Sequence, residues 1–218
     1  TSEGILEVHW TTGNANWESW MYGRSLENYD YYFSWAKWIT PSRDLIKDFE
    51  SENDTTRLNQ TLVYYACKWS NYYPASKYPF MYKCRSGYNN QYKLRLADII
   101  LLEAEAYAYK GDNKNSAALV NLIRNRAKLP NLTADKTATK DAMIEAVLHE
   151  RRLELALEGE RWYDLCRNNK VEEYLNGLNN RDSGRLTQRK PYDANSYLLP
   201  IPQSALDENS NLQQNPGY

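Results

Sequence analysis

Hydrophobic spacing predicts helices for most of the chain after Leu94. Between Leu94 and Tyr109, apolar side chains recur three or four positions apart, which is the period of a helix with one buried face. Gly111 then supplies a residue of the type that commonly ends a helix. We expect the buried face of this first helix to consist of Leu96, Ile99, Leu102 or Glu103, Ala106 and Tyr109.

A second helix follows and is predicted to stop before Pro130. We expect this helix to bury Ala118, Leu122 and Ile123. Together the two helices occupy residues 94–127, a helix–turn–helix of the length found in tetratricopeptide repeats. The pattern therefore predicts a mainly α fold of tetratricopeptide-like helix pairs, with long irregular aromatic-rich loops and a few short strands.

Further helices are predicted toward the C-terminus. One begins near Thr139 and runs to about Glu158, where Gly159 interrupts it before another short helix. The tail is extended and punctuated by prolines, with a helical turn predicted at 203–208. In the long helix, the side chains expected to face the core are Ile144, Val147, Leu148 and Leu155.

The first part of the chain has a mixed pattern. Residues 3–10 alternate between apolar and polar as a half-buried strand does, whereas residues 11–40 show no sustained period. Ser42 is the expected N-cap of a short helix, and residues 59–92 return to strand-like or loop-like character. The expected apolar face of the short helix comprises Leu45, Ile46 and Phe49.

The composition argues against a nucleic-acid, acidic-membrane or transmembrane protein, and it is rich in aromatic residues. With Lys+Arg 27 against Asp+Glu 28, the net charge of −1 gives no global reason to expect nucleic acid or an acidic membrane as partner. No apolar run is long enough to predict a transmembrane helix, and the absence of a leader segment suggests that Thr1 is internal to a longer precursor. The 19 Tyr, 7 Trp and 3 Phe are concentrated before Lys93.

Four sequence segments follow one another in an order that is characteristic of one protein family. They are LRLADIILLEAEAYAYKGD, NLIRNRAKLP, AVLHERRLELALEGERWYDLCR and, at the end of the chain, LLPIPQSALDENSNLQQNPGY. In these segments the chain resembles the C-terminal half of the SusD/RagB family, cell-surface lipoproteins that serve outer-membrane nutrient importers of Bacteroidota. The resemblance implies a single domain over 1–218, with an aromatic-rich loop region at 1–93 and a helical region with an extended tail at 94–218.

The sequence contains no recognisable catalytic motif. His149 opens HERRL, which lacks the second histidine of the zinc-protease HExxH, and G-x-S-x-G, P-loop and G-x-G-x-x-G motifs are missing. Carboxylate pairs keep a glycosidase dyad open on counting alone. However, one acidic set repeats at every fourth position among arginines, which favours a structural ion-pair ladder on one helix: Glu150, Glu154 and Glu158. The resemblance likewise implies a binding protein without enzymatic activity, cofactor or metal.

Residues 55–97 combine seven basic residues and ten aromatic rings with no acidic residue. Such interleaving is typical of proteins that bind single-stranded nucleic acid, although a docking face or an ordinary loop would show it too. No RNP, KH or zinc motif accompanies the segment, so we expect no nucleic-acid partner.

Residues 10–40 hold the best candidates for ligand binding. A carbohydrate site needs flat aromatic faces on which sugar rings stack and short polar side chains that bond their hydroxyls, although many of these rings could instead be core. Family members that bind starch-like glycans use an aromatic arc drawn partly from the region upstream of the RLAD helix. The residues predicted to bind the ligand are Trp17, Trp20, Trp35, Asn14, Asn16 and Arg24.

The predicted function is non-catalytic capture of oligosaccharides at the surface of the outer membrane. The resemblance implies handover to a SusC-like TonB-dependent transporter, and an N-terminal part of the same protein that carries the lipid anchor. Two alternatives use the same scaffold: a RagB-like peptide-binding uptake receptor, or a pure protein-interaction scaffold.

Overall fold

The computed structural model describes residues 3–11, 40–66, 73–74, 76–83, 90–181 and 191–218. The chain divides into two compact units, Thr1–Gly159 and Glu160–Tyr218. A single domain over the whole chain stays a prediction. The described part is mainly helical with a few short strands, as the sequence predicted.

Among its described residues, the first unit contains two antiparallel strand pairs and a group of helices. In chain order its elements are β1 (Gly4–Val8), α1 (Arg43–Ser51), α2 (Thr55–Thr61), β2 (Leu62–Tyr65), β3 (Tyr78–Met81), β4 (Gln91–Arg95), α3 (Leu96–Tyr109), α4 (Asn113–Arg126), α5 (Ala134–Thr137) and α6 (Lys140–Glu154). Strand β1 pairs with β4, and β2 pairs with β3.

The strand predicted near the N-terminus is present, but it is not half-buried. Register shifts interrupt its pairing with β4, and both Ile5 and Leu6 are more than half exposed. Leu6 lies opposite Leu94, which is also exposed. The alternation therefore identified the strand correctly and its burial wrongly.

The core of the first unit lies where α3, α4 and α6 pack together. Small residues of α3 allow close approach: Ala104 and Ala108 are fully buried, and the Ser116 hydroxyl of α4 donates to the Ala104 carbonyl over 2.7 Å. Of the four side chains predicted to face inward, Ile144, Val147 and Leu148 lie in α6 and Leu155 directly follows it, and all four are buried. Burying each large apolar side chain contributes about 1.5–3 kcal/mol.

The buried face predicted for α3 is wrong. Leu96, Ile99 and Tyr109 are 48%, 39% and 44% exposed, and Ala106 is exposed as well. The face that turns inward instead comprises Ala97, Asp98, Leu101, Ala104, Glu105 and Ala108. Because α3 is apolar on most sides, its spacing fits more than one face, and the small residues decide which face packs closely.

The buried face predicted for α4, the second helix of the pair, is also partly wrong. Ile123 is buried in α4 as predicted, whereas Ala118 and Leu122 are exposed. Ser116, Val120 and Arg124 take the inward positions instead.

Local signals predicted the start of α1 and the end of α3 correctly, whereas α6 ends at Glu154 and does not continue to about Glu158 as expected. The Ser42 hydroxyl accepts from the Leu45 N–H over 3.1 Å, and the predicted apolar face of α1 is buried. Gly111 has a φ of 79°, a left-handed conformation that suits glycine after a helix. Asp54 caps α2 in the same way that Ser42 caps α1, although the sequence pattern did not predict α2.

The second unit contains α7 (Arg161–Arg167), α8 (Val171–Arg181), a 3₁₀ helix (Ala194–Tyr197) and α9 (Gln203–Glu208). The short helix after Gly159 and the turn at 203–208 are confirmed, whereas α8 and the 3₁₀ helix were not predicted. Trp162 packs its ring against Tyr192, with centroids 5.8 Å apart. None of the helices in the described ranges is both long and apolar enough to cross a membrane.

Candidate functional site

The residues that the sequence predicted to bind a ligand lie outside the described residues. Trp17, Trp20, Trp35, Asn14, Asn16 and Arg24 all fall within 12–39. Their role stays a prediction, and the site that the structure does describe is a different one.

A cleft of about 680 Å³ opens in the first unit. Its walls come from α2, from β4, from the residues that follow β3, and from the C-terminal ends of α4 and α6. The volume is in the range of small-molecule binding sites. Most of the residues that line it are of charged or polar type: Glu3, Thr56, Arg57, Gln60, Thr61, Tyr82, Lys83, Asn90, Tyr92, Arg95, Arg126, Ala127, Leu153, Glu154 and Glu158.

Glu154, at the end of α6, is the most heavily paired carboxylate of the cleft. Arg95 Nη1 donates to its Oε1 over 2.8 Å, and Arg57 Nη1 lies 3.4 Å from its Oε2. Arg126 forms a further ion pair with Oε1 from the exposed side of the cleft. Three guanidinium groups from different elements therefore converge on one buried carboxylate.

Arg95 also binds Glu158, the next acid of the repeat, through two parallel hydrogen bonds. Its Nε and Nη2 donate to the two oxygens of Glu158 over 2.6 and 2.8 Å, and Nη2 also donates to the Glu154 carbonyl. Such bidentate pairs are stronger and more directional than single contacts. Lys83 pairs with Glu158 as well and donates to the Glu154 carbonyl over 2.9 Å.

Arg57 is almost fully buried, and its ion pairs leave one of its donor nitrogens without a partner among the described residues. It pairs with Asp54 at the start of its own helix and donates from Nη1 to Glu150 Oε1 over 2.6 Å. Its Nη2 is buried and has no hydrogen-bond partner among the described residues. A buried donor without an acceptor costs about 1–3 kcal/mol.

The network continues below the cleft through Glu150. Arg124 Nη1 donates to Glu150 Oε2 over 3.0 Å and to Glu52 Oε2 over 2.7 Å. His149 Nε2 lies 2.5 Å from the other Glu52 oxygen. Glu52, at the end of α1, is thereby tied to both α4 and α6.

Electrostatics keep Glu154 and Glu52 ionised at neutral pH. Burial alone would raise the pKa of Glu154, but the guanidinium groups of Arg95 and Arg126 outweigh it and lower the pKa to about 2. Burial would likewise raise the pKa of Glu52, but its contacts with His149 and Arg124 lower that pKa to about 2. Burial also opposes the charge of Arg95, yet Glu158 and Glu154 raise its pKa. A carboxyl group with a pKa near 2 is a poor general acid at neutral pH.

The predicted ladder was right about a structural ion-pair set and wrong about the partners. Glu150 and Glu154 do not pair along their own helix in the contacts described here; they bind arginines from α2, β4 and α4. The arginines of α6 are likewise paired with other helices, Arg151 with Asp98 and Arg152 with Asp48. Because these acids are buried, they need cations that the fold brings to them.

The basic run at 55–97 supplies much of this counter-charge. Arg57 pairs with Glu150 of α6. Lys83 and Arg95 pair with Glu158, which follows α6 in the chain. Lys77 instead lies over the Tyr64 ring, 4.7 Å from its centroid. The sequence signal that could have revealed the network is therefore a basic segment without acids, together with an acidic repeat elsewhere in the chain.

Within the described ranges, no three His, Cys, Asp or Glu side chains form a group that could hold a metal ion.

Comparison with known proteins identifies relatives that are considerably longer. Residues 11–218 match the sequence model of the SusD family. A curated relative, SusD-like protein P2 of Formosa agariphila, is 33% identical over 144 residues, which are 62% of this chain and 27% of that protein. The chain therefore spans well under half the length of this relative.

Two solved structures resemble the whole chain. A putative sugar binding protein from Bacteroides vulgatus ATCC 8482 is 27% identical with a TM-score of 0.71, covering 99% of this chain and 46% of that one. A laminarin binding SusD-like protein is 26% identical with a TM-score of 0.64, covering 100% of this chain and 50% of that one. The chain corresponds to about half of each.

Proposed function

This chain belongs to the SusD family, and on that premise we propose that it captures oligosaccharides without chemically changing them. The observation that carries the proposal is the family match over nearly the whole chain, together with a similar protein that binds laminarin. The other solved relative, a putative sugar binding protein from Bacteroides vulgatus, supports the same ligand class.

The cleft supports a non-catalytic role. A glycosidase needs one carboxyl group that is protonated near neutral pH, and therefore one with a raised pKa. Glu154 has the opposite property, with a pKa near 2, and Glu158 is held by Arg95 and Lys83. These acids are arranged to stabilise the fold.

We propose that the main sugar contacts lie within residues 10–40. Trp17, Trp20 and Trp35 would stack on sugar rings, while Asn14, Asn16 and Arg24 would bond the hydroxyls. The proposal rests on residue types and on the family, since tryptophan faces and short polar side chains are what sugar recognition requires.

The cellular role follows from the family and is equally a proposal. The protein would lie at the surface of the outer membrane, joined to a further N-terminal part that carries a lipid anchor. It would pass its ligand to a SusC-like TonB-dependent transporter. A RagB-like peptide receptor and a protein-interaction scaffold are the competing functions.

A glycan array followed by titration tests the function. We expect binding to one class of glycan, with a Kd in the micromolar to millimolar range. Incubation with starch, xylan, mannan and pectin fragments should release no new reducing ends. Binding of peptides with silence on the array would favour the peptide receptor, and silence toward both would favour the scaffold.

Single alanine variants test the proposed ring contacts. Replacing Trp17, Trp20 or Trp35 should weaken binding of the best array glycan by about 1–3 kcal/mol, by analogy with bases stacked on aromatic side chains, with little change in the melting temperature. Trp162→Ala, which removes a ring packed on Tyr192, is the control that should leave affinity unchanged. Wild-type affinity in all three variants would place the sugar elsewhere.

A further inference from the structure

The first unit exposes an apolar surface where its N-terminal strand meets α3. Leu6 of β1 lies opposite Leu94 of β4, and directly opposed residues of antiparallel strands are neighbours. Leu96 and Ile99 lie one turn apart at the start of α3, immediately after β4. These four side chains are between 38% and 54% exposed. Together they form what we call the N-terminal apolar surface.

The N-terminal apolar surface lies on the side of α3 that faces away from the core. The other side of this helix packs with α4 and α6, as described above. A helix that is apolar on opposite sides is normally buried on both of them. The outward side becomes polar at Glu103 and ends at the exposed Lys110, so only the first half of α3 calls for a second apolar partner.

The N-terminal end of the chain lies at the same place. The Glu3 carbonyl accepts from the Leu96 N–H over 2.9 Å, and the Glu3 carboxylate pairs with Arg95 over 3.0 Å. Residues that precede Thr1 would therefore leave the first unit beside the N-terminal apolar surface. The two solved relatives are long enough to supply such residues, because this chain covers only 46% of one and 50% of the other.

We propose that the N-terminal apolar surface is the docking face for the part of the protein that precedes Thr1. Exposed apolar patches of this kind commonly mark interaction surfaces. The four aliphatic side chains offer area to bury and no charge to pair, so the segment that covers them should present an apolar face of its own. The inference rests on the N-terminal part that belongs to the proposed function, and it does not depend on glycan binding.

Thiol labelling measures whether this surface is covered. Ile99→Cys and Leu6→Cys would be made in the 218-residue chain and in the full-length protein, and treated with a maleimide reagent under native conditions. Peptide mass spectrometry separates the introduced thiols from the three native cysteines. Both introduced thiols should react at least about tenfold more slowly in the full-length protein, because a covered thiol reacts only when its contact opens. Lys136→Cys, at an exposed position of α5, is the control that should react at the same rate in both.

Slower labelling of both thiols in the full-length protein, with an unchanged control, supports the docking face. Equal rates in the two lengths overturn it, as does a coding sequence that contributes no residues before Thr1. Slow labelling already in the 218-residue chain also overturns it, because the chain itself or a second copy would then cover the surface. A labelling rate that falls as protein concentration rises would identify the second copy.

Titration of the same full-length sample with laminarihexaose keeps this inference apart from the proposed function. Slowed labelling without binding of this or any array glycan would contradict the proposed function and support the docking face. Glycan binding together with equal labelling rates would do the opposite.

Discussion

The two halves of α6 stabilise the fold in opposite ways. Its first half buries Met143, Val147 and Leu148 in an apolar core, whereas its second half buries Glu150 and Glu154 among arginines. The apolar half needs only partners of suitable volume. The charged half needs particular cations at particular distances, because a buried charge without a partner is costly. One helix therefore contains a tolerant region and an intolerant one.

The largest expected effect separates the two halves directly. Glu150→Leu keeps most of the volume but leaves Arg57 and Arg124 short of a buried counter-charge, and should lower the free energy of unfolding by about 3–5 kcal/mol. Leu148→Met, in the apolar half, should cost less than about 1.5 kcal/mol because volume is conserved. Urea unfolding of both variants measures the difference. Equal losses of unfolding free energy in the two variants would show that the charged half tolerates substitution as well as the apolar half does.

The pH dependence of stability should arise in the charged half. Glu154 has a pKa of about 2 in the folded protein against an ordinary value of 4.5, so the unfolded chain binds its proton first as pH falls. Its stabilisation is complete above about pH 5 and is lost progressively toward pH 2, on the order of 3 kcal/mol in total.

Denaturant unfolding between pH 6 and pH 2.5 checks this dependence. Glu154→Gln should flatten the acid limb of the curve, whereas Glu103→Gln, which changes an exposed carboxylate of α3, should leave its shape unchanged. An identical acid limb in Glu154→Gln and the wild type would contradict the assigned role.

The smallest expected effect concerns the helix pair. Leu122 was expected in the core from its spacing but is 55% exposed, so Leu122→Ala should change stability by no more than about 0.5 kcal/mol. The neighbouring Ile123 is buried, and Ile123→Ala should cost about 2–5 kcal/mol. Thermal melts of the two variants compare them. A large loss of stability in Leu122→Ala would contradict the exposed position of this side chain on α4.

Local signals in the sequence determined much of the fold. Ser42 begins α1 and Gly111 follows the end of α3 where predicted, because capping and left-handed backbone depend on a few neighbouring residues. The inward side of α6 was also correct, since polar residues separate its apolar positions clearly. The inward side of α3 was not, because a helix with apolar residues on most sides gives spacing no single solution.

The sequence by itself determined the helical class, the start of α1, the end of α3 and the family. Each of these depends on short-range patterns or on motifs in a fixed order. The tertiary structure alone decided which arginine meets which acid. Arg57 and Arg95 lie far from Glu154 along the chain, and only folding brings them within hydrogen-bond distance. Periodicity along one helix suggested local pairing, but a buried carboxylate takes the cations that share its interior, whatever their separation in sequence.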